Sequence, residues 1–261
     1  MQARRNNDPK HVEWAQVPDD RIPSDSLPSP PKAPLTPKPA PVLPDLQGEP
    51  GLQSIQKTCE DIHDFLIRKE HEFDSIDSHA SKPWGYLGDI VSGVPHGMGR
   101  WTHNGQTVYF GEWELGKRRG RGRIKISDGE YYEGEVYNDK KHGIGRQFFS
   151  NGDVYQGVWS SNKKYSLGIY HYADGDVFQG LWKDDQKNGK GVYKFNDGDL
   201  YEGDWLNDCM TGHGTYYSKN GDKYVGEWLN NKEHGQGTQY YNDGGVYEGQ
   251  FENGVKEGYG K

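Results

Sequence analysis

From residue 84 onward, apolar and polar positions alternate with period two in short runs that recur every 23 residues. Each run has an aromatic residue, a glycine two positions later, and an apolar residue, mostly tryptophan, two positions further on, as in Tyr109-Phe-Gly111-Glu-Trp113. Such alternation places ring, glycine and second ring on one face of a β-strand. A second run with paired glycines follows in each unit, so the pattern predicts one two-stranded hairpin per repeat.

The eight copies are in register, and the residues predicted to build the fold are the aromatic, glycine and tryptophan positions. They are Tyr109, Gly111, Trp113, Tyr132, Gly134, Tyr155, Gly157, Trp159, Gly180, Trp182, Tyr201, Gly203, Trp205, Tyr224, Gly226 and Trp228. Glycines on this face leave room for rings to lie flat over bare backbone, and one hairpin needs its neighbours for stability. We therefore predict an all-β fold, an elongated single-layer twisted antiparallel sheet over residues 84–261.

Each complete unit contains an asparagine-glycine or aspartate-glycine pair. The pairs lie at residues 104–105, 128–129, 151–152, 174–175, 197–198, 220–221 and 243–244. Such pairs between alternating runs predict type I′ hairpin turns, in which both central residues have positive φ.

A different pattern occupies residues 51–80. Apolar residues fall at spacings of three and four, which predicts an amphipathic helix: Leu52, Ile55, Cys59, Ile62, Leu66, Phe73 and Ile76. So narrow a stripe is typical of a coiled-coil seam or of a helix that docks on a partner through Leu52, Ile55, Ile62, Leu66 and Phe73. The alternative is that the helix caps an open end of the sheet.

Residues 1–50 hold 12 of the 14 prolines, which excludes regular helix or sheet and predicts a flexible arm. Residues 28–31 and 34–37 both match Pro-x-x-Pro, the motif of ligands for proline-recognising grooves. Such matches are frequent in any proline-rich stretch, so we favour a spacer over a ligand.

The repeat unit, with its tyrosine, glycine and tryptophan, its paired glycines and its Asx-Gly pair, resembles the membrane occupation and recognition nexus (MORN) repeat. The resemblance covers residues 84–261. Ser166 replaces one of the paired glycines, the first Asx-Gly pair falls one residue early, and the eighth unit stops at Lys261 before its turn.

The resemblance implies a non-enzymatic scaffold, since MORN arrays occur in radial spoke heads of cilia, in cytoskeletal structures of protists and in junctional membrane proteins. Other proteins, cytoskeletal or axonemal, are the implied partners, in the cytoplasm or a cilium. Some members pair through their C-terminal end, which implies a homodimer as one arrangement. The alternative is a membrane-contact or phosphoinositide-binding module, or the regulatory array of a lipid kinase, because MORN repeats also precede lipid kinase domains. Some methyltransferases carry such repeats before a catalytic domain, but this chain stops within the array.

Composition narrows the function classes. The chain of 261 residues has a formal net charge of −8, which argues against a nucleic-acid binder. Only 31% of its residues are hydrophobic, which argues against a deep aliphatic core. Two cysteines and the lack of a long apolar run predict a soluble intracellular protein. The histidines recur with the repeat, so they are too far apart for one metal ion, and no nucleophile or phosphate-loop motif is present. Acids beside the strand glycines, such as Glu112 and Glu133, are interpreted as part of a solvated face rather than as a buried catalytic pair. We expect no catalytic site, metal or cofactor.

One cluster of charge departs from the acidic average. Six cations fall within nine residues: Lys117, Arg118, Arg119, Arg121, Arg123 and Lys125. Four of them alternate, so a strand would project them from one face as a docking site for lipid headgroups or an acidic protein segment. The alternative is a solvated strand face that discourages aggregation.

Overall fold

The computed structural model describes residues 51–76 and 84–261; the proline-rich arm and residues 77–80 of the predicted helix lie outside them. One helix, α1 (Leu52–Ile76), precedes sixteen strands in chain order. The strands are β1 (Trp84–Val91), β2 (Val94–His103), β3 (Gln106–Glu114), β4 (Lys117–Ser127), β5 (Glu130–Tyr137), β6 (Lys140–Phe148), β7 (Val154–Ser160), β8 (Lys163–His171), β9 (Val177–Lys183), β10 (Gln186–Lys194), β11 (Leu200–Leu206), β12 (Cys209–Tyr217), β13 (Lys223–Leu229), β14 (Lys232–Tyr240), β15 (Val246–Glu252) and β16 (Val255–Gly260).

The strands form one open antiparallel sheet in which every strand pairs with its neighbour in sequence. Glycine lies opposite glycine both within a hairpin, as with Gly203 and Gly214, and between hairpins, as with Gly191 and Gly203. A row of side-chain-free backbone therefore crosses the sheet. The predicted fold class is confirmed.

The aromatic rings lie on this glycine row. The Tyr132 ring is fully buried and its hydroxyl donates a hydrogen bond to the Glu135 carbonyl at 2.7 Å. The Trp159 indole sits edge-on between two phenols, 5.4 Å from the Tyr132 ring and 5.1 Å from the Tyr155 ring. Its Nε1 donates to the Gly145 carbonyl at 3.1 Å. Each tryptophan thus joins its own repeat to the preceding one, in place of an aliphatic core.

The turns differ from the prediction. In six of the seven Asx-Gly pairs only the glycine has positive φ, so these connections are not type I′. In the loop after β6, Gly152 N–H bonds the Phe149 carbonyl and Phe149 N–H bonds the Asp153 carbonyl, the pattern of a three-residue hairpin loop. The first pair, Asn104-Gly105, does have positive φ at both residues.

Positive φ at both turn residues occurs instead at the opposite ends of the hairpins. The pairs without glycine are Asn138-Asp139, Ser161-Asn162, Asp184-Asp185, Asn207-Asp208 and Asn230-Asn231. Asparagine and aspartate tolerate this conformation better than other non-glycine residues. The second residue also links hairpins, because its side chain accepts a hydrogen bond from the backbone N–H 21 residues earlier, as from Lys187 to Asp208 at 2.8 Å.

Replacing Asp208 by alanine should therefore lower the free energy of unfolding by about 1–2 kcal/mol, since it removes that bond and leaves a less tolerant residue at φ 67°. Asp208→Asn is the matched control, because Asn162 and Asn231 make the same bond in other repeats. Urea unfolding of both variants measures the difference. An equal loss in the two would show that neither the bond nor the turn conformation is responsible.

Helix α1 lies on the face opposite the tryptophans and crosses strands β3 to β8. Its side chains Ile55 and Leu66 are fully buried, the first in a cluster with Leu167 and the second in a cluster with Phe110. Both interpretations of the stripe were wrong: Leu52, Ile55, Ile62, Leu66 and Phe73 pack within the chain rather than on a partner, and the helix covers a face rather than an end. The reason is an apolar patch on the sheet beneath it, which includes Ile144, Val158 and Leu181.

Candidate functional site

The aromatic face of the sheet is filled by its own side chains. Tyr109, Tyr132, Tyr155, Phe178, Tyr201 and Tyr224 are at most 1% exposed, and a second row of rings follows on the paired strands. In that row Tyr170, Tyr193 and Tyr216 donate hydrogen bonds to Asp153, Asp176 and Asp199. The same three carboxylates accept backbone N–H groups of the next loop. These acids are therefore engaged in joining repeats.

A column of lysines crosses the aromatic face, which the sequence analysis did not anticipate. The Nζ atoms of Lys141, Lys164 and Lys187 lie 3.9, 4.3 and 4.6 Å from the ring centroids of tryptophans one repeat later. Burial lowers the pKa of Lys141 to about 8 and also lowers that of Lys164. These contacts are cation–π interactions within the fold. The only sequence signal was the 23-residue spacing of the lysines.

The column is interrupted by Met210 and then by Glu233, one repeat apart. Glu233 is 4% exposed, and its Oε1 atom is one of four buried side-chain polar atoms without a hydrogen-bond partner in the described part of the chain. Burial raises its pKa to about 8, although the positive charge of Lys256 opposes the shift. A carboxyl group whose folded pKa is raised stabilises the fold below its unfolded pKa, and that stability is lost as pH rises through 8.

We expect Glu233→Gln to be more stable than the parent by about 1–2 kcal/mol at pH 9 and equally stable at pH 4, where both side chains are neutral. Chemical unfolding at the two pH values tests this. Glu257→Gln, an exposed glutamate on β16, is the control and should show the same difference from the parent at both pH values. A Glu233→Gln variant with no pH-dependent gain would show that the carboxylate is solvated.

The helix-side face carries a buried ionic centre. Glu133 is 1% exposed and its carboxylate accepts hydrogen bonds from Arg123 Nε at 2.8 Å and Arg146 Nη2 at 2.9 Å. His63 Nδ1 of α1 lies 3.0 Å from Oε2, and Arg123 also pairs with Glu70 of α1 at 2.7 Å. The sequence interpretation of Glu133 as a solvated surface acid was wrong, because the helix covers it. Burial raises the pKa of Glu133, but the two guanidinium groups outweigh it and hold the pKa below its ordinary value.

The six clustered cations all have partners within the chain. Lys117 bonds Asn138, Arg118 pairs with Asp139, Arg119 with Glu114, Arg121 with Glu112, Arg123 with Glu133 and Glu70, and Lys125 with Asp128. The Arg121 guanidinium also lies 3.5 Å from the Phe65 ring of α1. Anion binding by this cluster stays a prediction, and its exposed part lies at the β3–β4 turn around Lys117 and Arg119.

Neither a metal site nor a membrane span emerges from the described residues. Within 51–76 and 84–261, no three histidine, cysteine, aspartate or glutamate side chains are arranged to hold a metal ion. The helix in that part of the chain is not apolar enough to cross a membrane.

Exposed apolar side chains lie along one edge of the sheet, at the turns between the two strands in five of the eight repeats. Val91, Tyr137, Leu206 and Leu229, each the last residue before such a turn, are 45–53% exposed. Leu115, within the β3–β4 turn, is 73% exposed. Successive repeats place these turns about 10 Å apart, because each repeat contributes two strands. We call this row the turn edge; the sequence analysis did not identify it.

Comparisons with known proteins agree with the repeat. The family model described as MORN repeat matches residues 86–107, 109–131, 132–154, 155–177, 178–200, 201–223, 224–246 and 247–261. Among curated proteins, none matches the chain significantly.

Solved structures give distant likenesses. The TCP domain of SAS-4 from Drosophila melanogaster, in complex with a proline-rich motif of Ana2, is 12% identical with a TM-score of 0.37, covering 66% of this chain and 100% of that one. A streptogramin B lyase is 15% identical with a TM-score of 0.16, covering 54% and 43%. An inactive virginiamycin B lyase from Staphylococcus aureus, with quinupristin, is 11% identical with a TM-score of 0.16, covering 64% and 60%. All three scores are below 0.5, so these structures add nothing to the description of the fold.

Proposed function

Because the chain belongs to the MORN repeat family, which serves in protein or membrane interactions, we propose that it is a non-enzymatic scaffold that organises other proteins. The observation that carries this proposal is that the buried polar and charged side chains make structural contacts. The hydroxyls of the buried tyrosines, the buried aspartates, the lysine column and Glu133 hold repeats or the helix together, and Glu233 is the exception. What projects outward is a long edge of regularly spaced turns.

The turn edge is the proposed binding surface. Exposed apolar side chains lie there in repeats one, two, three, six and seven, and an extended partner could contact several of them at once. A continuous sheet of sixteen strands holds those contacts in fixed register. This is the property that a scaffold requires.

We expect the double variant Leu206→Glu/Leu229→Glu to lose most bound proteins in a pull-down from cell extract. The control is Ile126→Glu/Val246→Glu, which places the same charge at side chains 45% and 55% exposed near the opposite edge. Exposed substitutions change stability little, so both variants should fold. If both variants capture the same proteins as the parent, the turn edge is not the binding surface.

Within the scaffold proposal, a cytoskeletal or ciliary assembly of the radial-spoke kind is the assignment that the family resemblance motivates. Imaging of the tagged protein in ciliated cells, with axonemal and cytoplasmic markers, tests it. Diffuse cytoplasmic signal would contradict the ciliary assignment and leave the scaffold proposal standing.

A homodimer through the C-terminal repeats would form at β16, the strand at that edge of the sheet. Analytical sedimentation of the protein measures whether it is a monomer or a dimer.

The membrane alternative depends on the exposed cations at the β3–β4 turn. Arg121 and Arg123 are unsuitable for the test, because their substitution would disturb the contacts of α1. Lys117→Glu/Arg119→Glu changes the charge at the turn instead. Sedimentation with anionic phosphoinositide vesicles that is strong for the parent and lost in this variant would favour membrane contact over the scaffold.

A further inference from the structure

Three recurring side-chain contacts join neighbouring repeats, in addition to the backbone ladder. Where β10 meets β11, the Lys187 Nζ atom lies 4.6 Å from the Trp205 ring centroid, and the indole Nε1 donates to the Gly191 carbonyl at 3.4 Å. The backbone N–H of Lys187 also donates to the Asp208 side chain at 2.8 Å. The same three contacts occur where β6 meets β7 and where β8 meets β9. Three junctions in the middle of the array therefore carry the full set.

Other junctions keep only part of this set. Where β12 meets β13, Met210 takes the lysine position, while the Trp228 indole bond and the Asn231 turn bond remain, at 3.2 and 2.7 Å. The β2–β3 and β4–β5 junctions keep one bond each, from the Trp113 indole at 3.3 Å and from the Arg118 backbone at 3.0 Å. The stability of a linear array depends on each interface between neighbours, so the array opens first where that interface is weakest.

The β14–β15 junction lacks all three contacts because of its residue types. Glu233 stands at the lysine position, Phe251 at the tryptophan position and Gly254 at the position of the turn asparagine or aspartate. A carboxyl group makes no cation–π contact, a phenyl ring has no N–H to donate, and glycine has no side chain to accept a bond. The contacts that remain include the backbone ladder and the Tyr224 and Phe251 rings, whose centroids lie 4.9 Å apart.

Glu233 also weakens this junction directly. Its side chain is buried, and its Oε1 atom has no hydrogen-bond partner within the described part of the chain. An unsatisfied buried polar atom lowers stability, and access to water on opening removes that penalty. Helix α1 braces strands β3 to β8, on the other half of the sheet. The β14–β15 junction is therefore the weakest interface among the described repeats.

We propose that the array opens at this junction, so that the β15–β16 hairpin leaves the sheet while the strands up to β14 stay folded. A detached two-stranded hairpin is only marginally stable, so β15 and β16 open together. Opening uncovers the edge of β14 and the Tyr224 ring, which is fully buried in the closed sheet. The array thus has a closed and an opened state that differ at one sheet edge.

Hydrogen exchange followed by mass spectrometry in the full-length protein tests the proposal, at a concentration at which sedimentation shows a monomer. We expect the hydrogen-bonded amides of β15 and β16 to be protected at least tenfold less than those of β11 and β12. Their exchange should also depend less on urea than global unfolding does, because a local opening exposes less surface. Equal protection of the two hairpins would overturn the proposal.

Variants that restore the missing contacts distinguish a weak junction from simple fraying at a sheet edge. Glu233→Lys/Phe251→Trp introduces the residues of the β10–β11 junction, and Glu233→Met introduces the residue of the β12–β13 junction. Exchange of β15 and β16 should slow at least tenfold in the first variant and by a smaller factor in the second, with β11 and β12 unchanged. Glu257→Lys, at an exposed glutamate on β16, is the control for charge and should leave exchange unchanged. Exchange of β15 and β16 that stays the same in both Glu233 variants, or slows equally in the control, would contradict the assignment of the opening to this junction.

Discussion

Replacing Gly203 by alanine should lower the free energy of unfolding by about 3 kcal/mol, the upper end for an overpacked core position. A methyl group there would lie 2.6 Å from the Gly214 Cα and 2.6 Å from Cζ of Tyr201. Carbon atoms pack best at about 3.5–4.0 Å, so either the strands separate or the ring moves. The ring cannot move easily, because it is fully buried between Trp205 and Trp228 at centroid distances of 5.3 and 5.0 Å.

The control for this substitution is Gly51→Ala, at the residue before α1, where an added Cβ meets nothing within 4 Å. Neither glycine has positive φ, so the comparison isolates crowding from backbone strain. Guanidinium unfolding followed by tryptophan fluorescence measures both variants. Similar losses in the two proteins, or a loss below about 1 kcal/mol for Gly203→Ala, would mean that the rings do not rest on the glycine row.

The glycine row is also what made the sheet predictable from sequence. Tyr201, Gly203 and Trp205 have counterparts in every repeat, so an error at one copy is corrected by the others. The structure pairs Gly203 with Gly214 as that pattern requires. The turn types were harder to predict, because turns within a repeat alternate with loops between repeats. Asx-Gly pairs led to the type I′ prediction, while five of the eight positive-φ pairs at the hairpin ends, such as Asn207-Asp208, lack glycine.

The helix-side face could not be predicted because its residues do not repeat. The position of Glu133 is held by Phe110 one repeat earlier and by Gln156 one repeat later. Positions whose residue type changes from repeat to repeat are typical of an exposed surface. Their burial here depends on which part of the face α1 covers. The apolar stripe on α1 indicated that the helix packs against another surface. A partner protein or the open end of the sheet fitted that stripe as well as the face of the sheet does. Only the placement of α1 shows that the acid is buried.

That placement leads to the second large effect: Glu133→Gln should lower the free energy of unfolding by about 3 kcal/mol and loosen α1 from the sheet. The amide keeps the shape but leaves Arg146, 15% exposed, without its counter-charge and Arg123, 25% exposed, with Glu70 alone. Removing one partner from a buried ion pair costs about 3–5 kcal/mol, and the partial exposure of the arginines favours the lower end. Amide hydrogen exchange of α1 should become faster, because His63 loses the same partner.

The pH dependence separates this ionic role from packing. The folded pKa of Glu133 lies below its ordinary value of 4.5, so its contribution is present above pH 4.5 and lost as pH falls through the folded pKa. The gap between parent and Glu133→Gln should therefore be constant from pH 6 to 8 and close below pH 4. Asp184→Asn removes the exposed pair with Lys163 and should change neither stability nor the helix. A gap that persists undiminished at pH 3 would show that the difference does not come from the charge of the carboxylate.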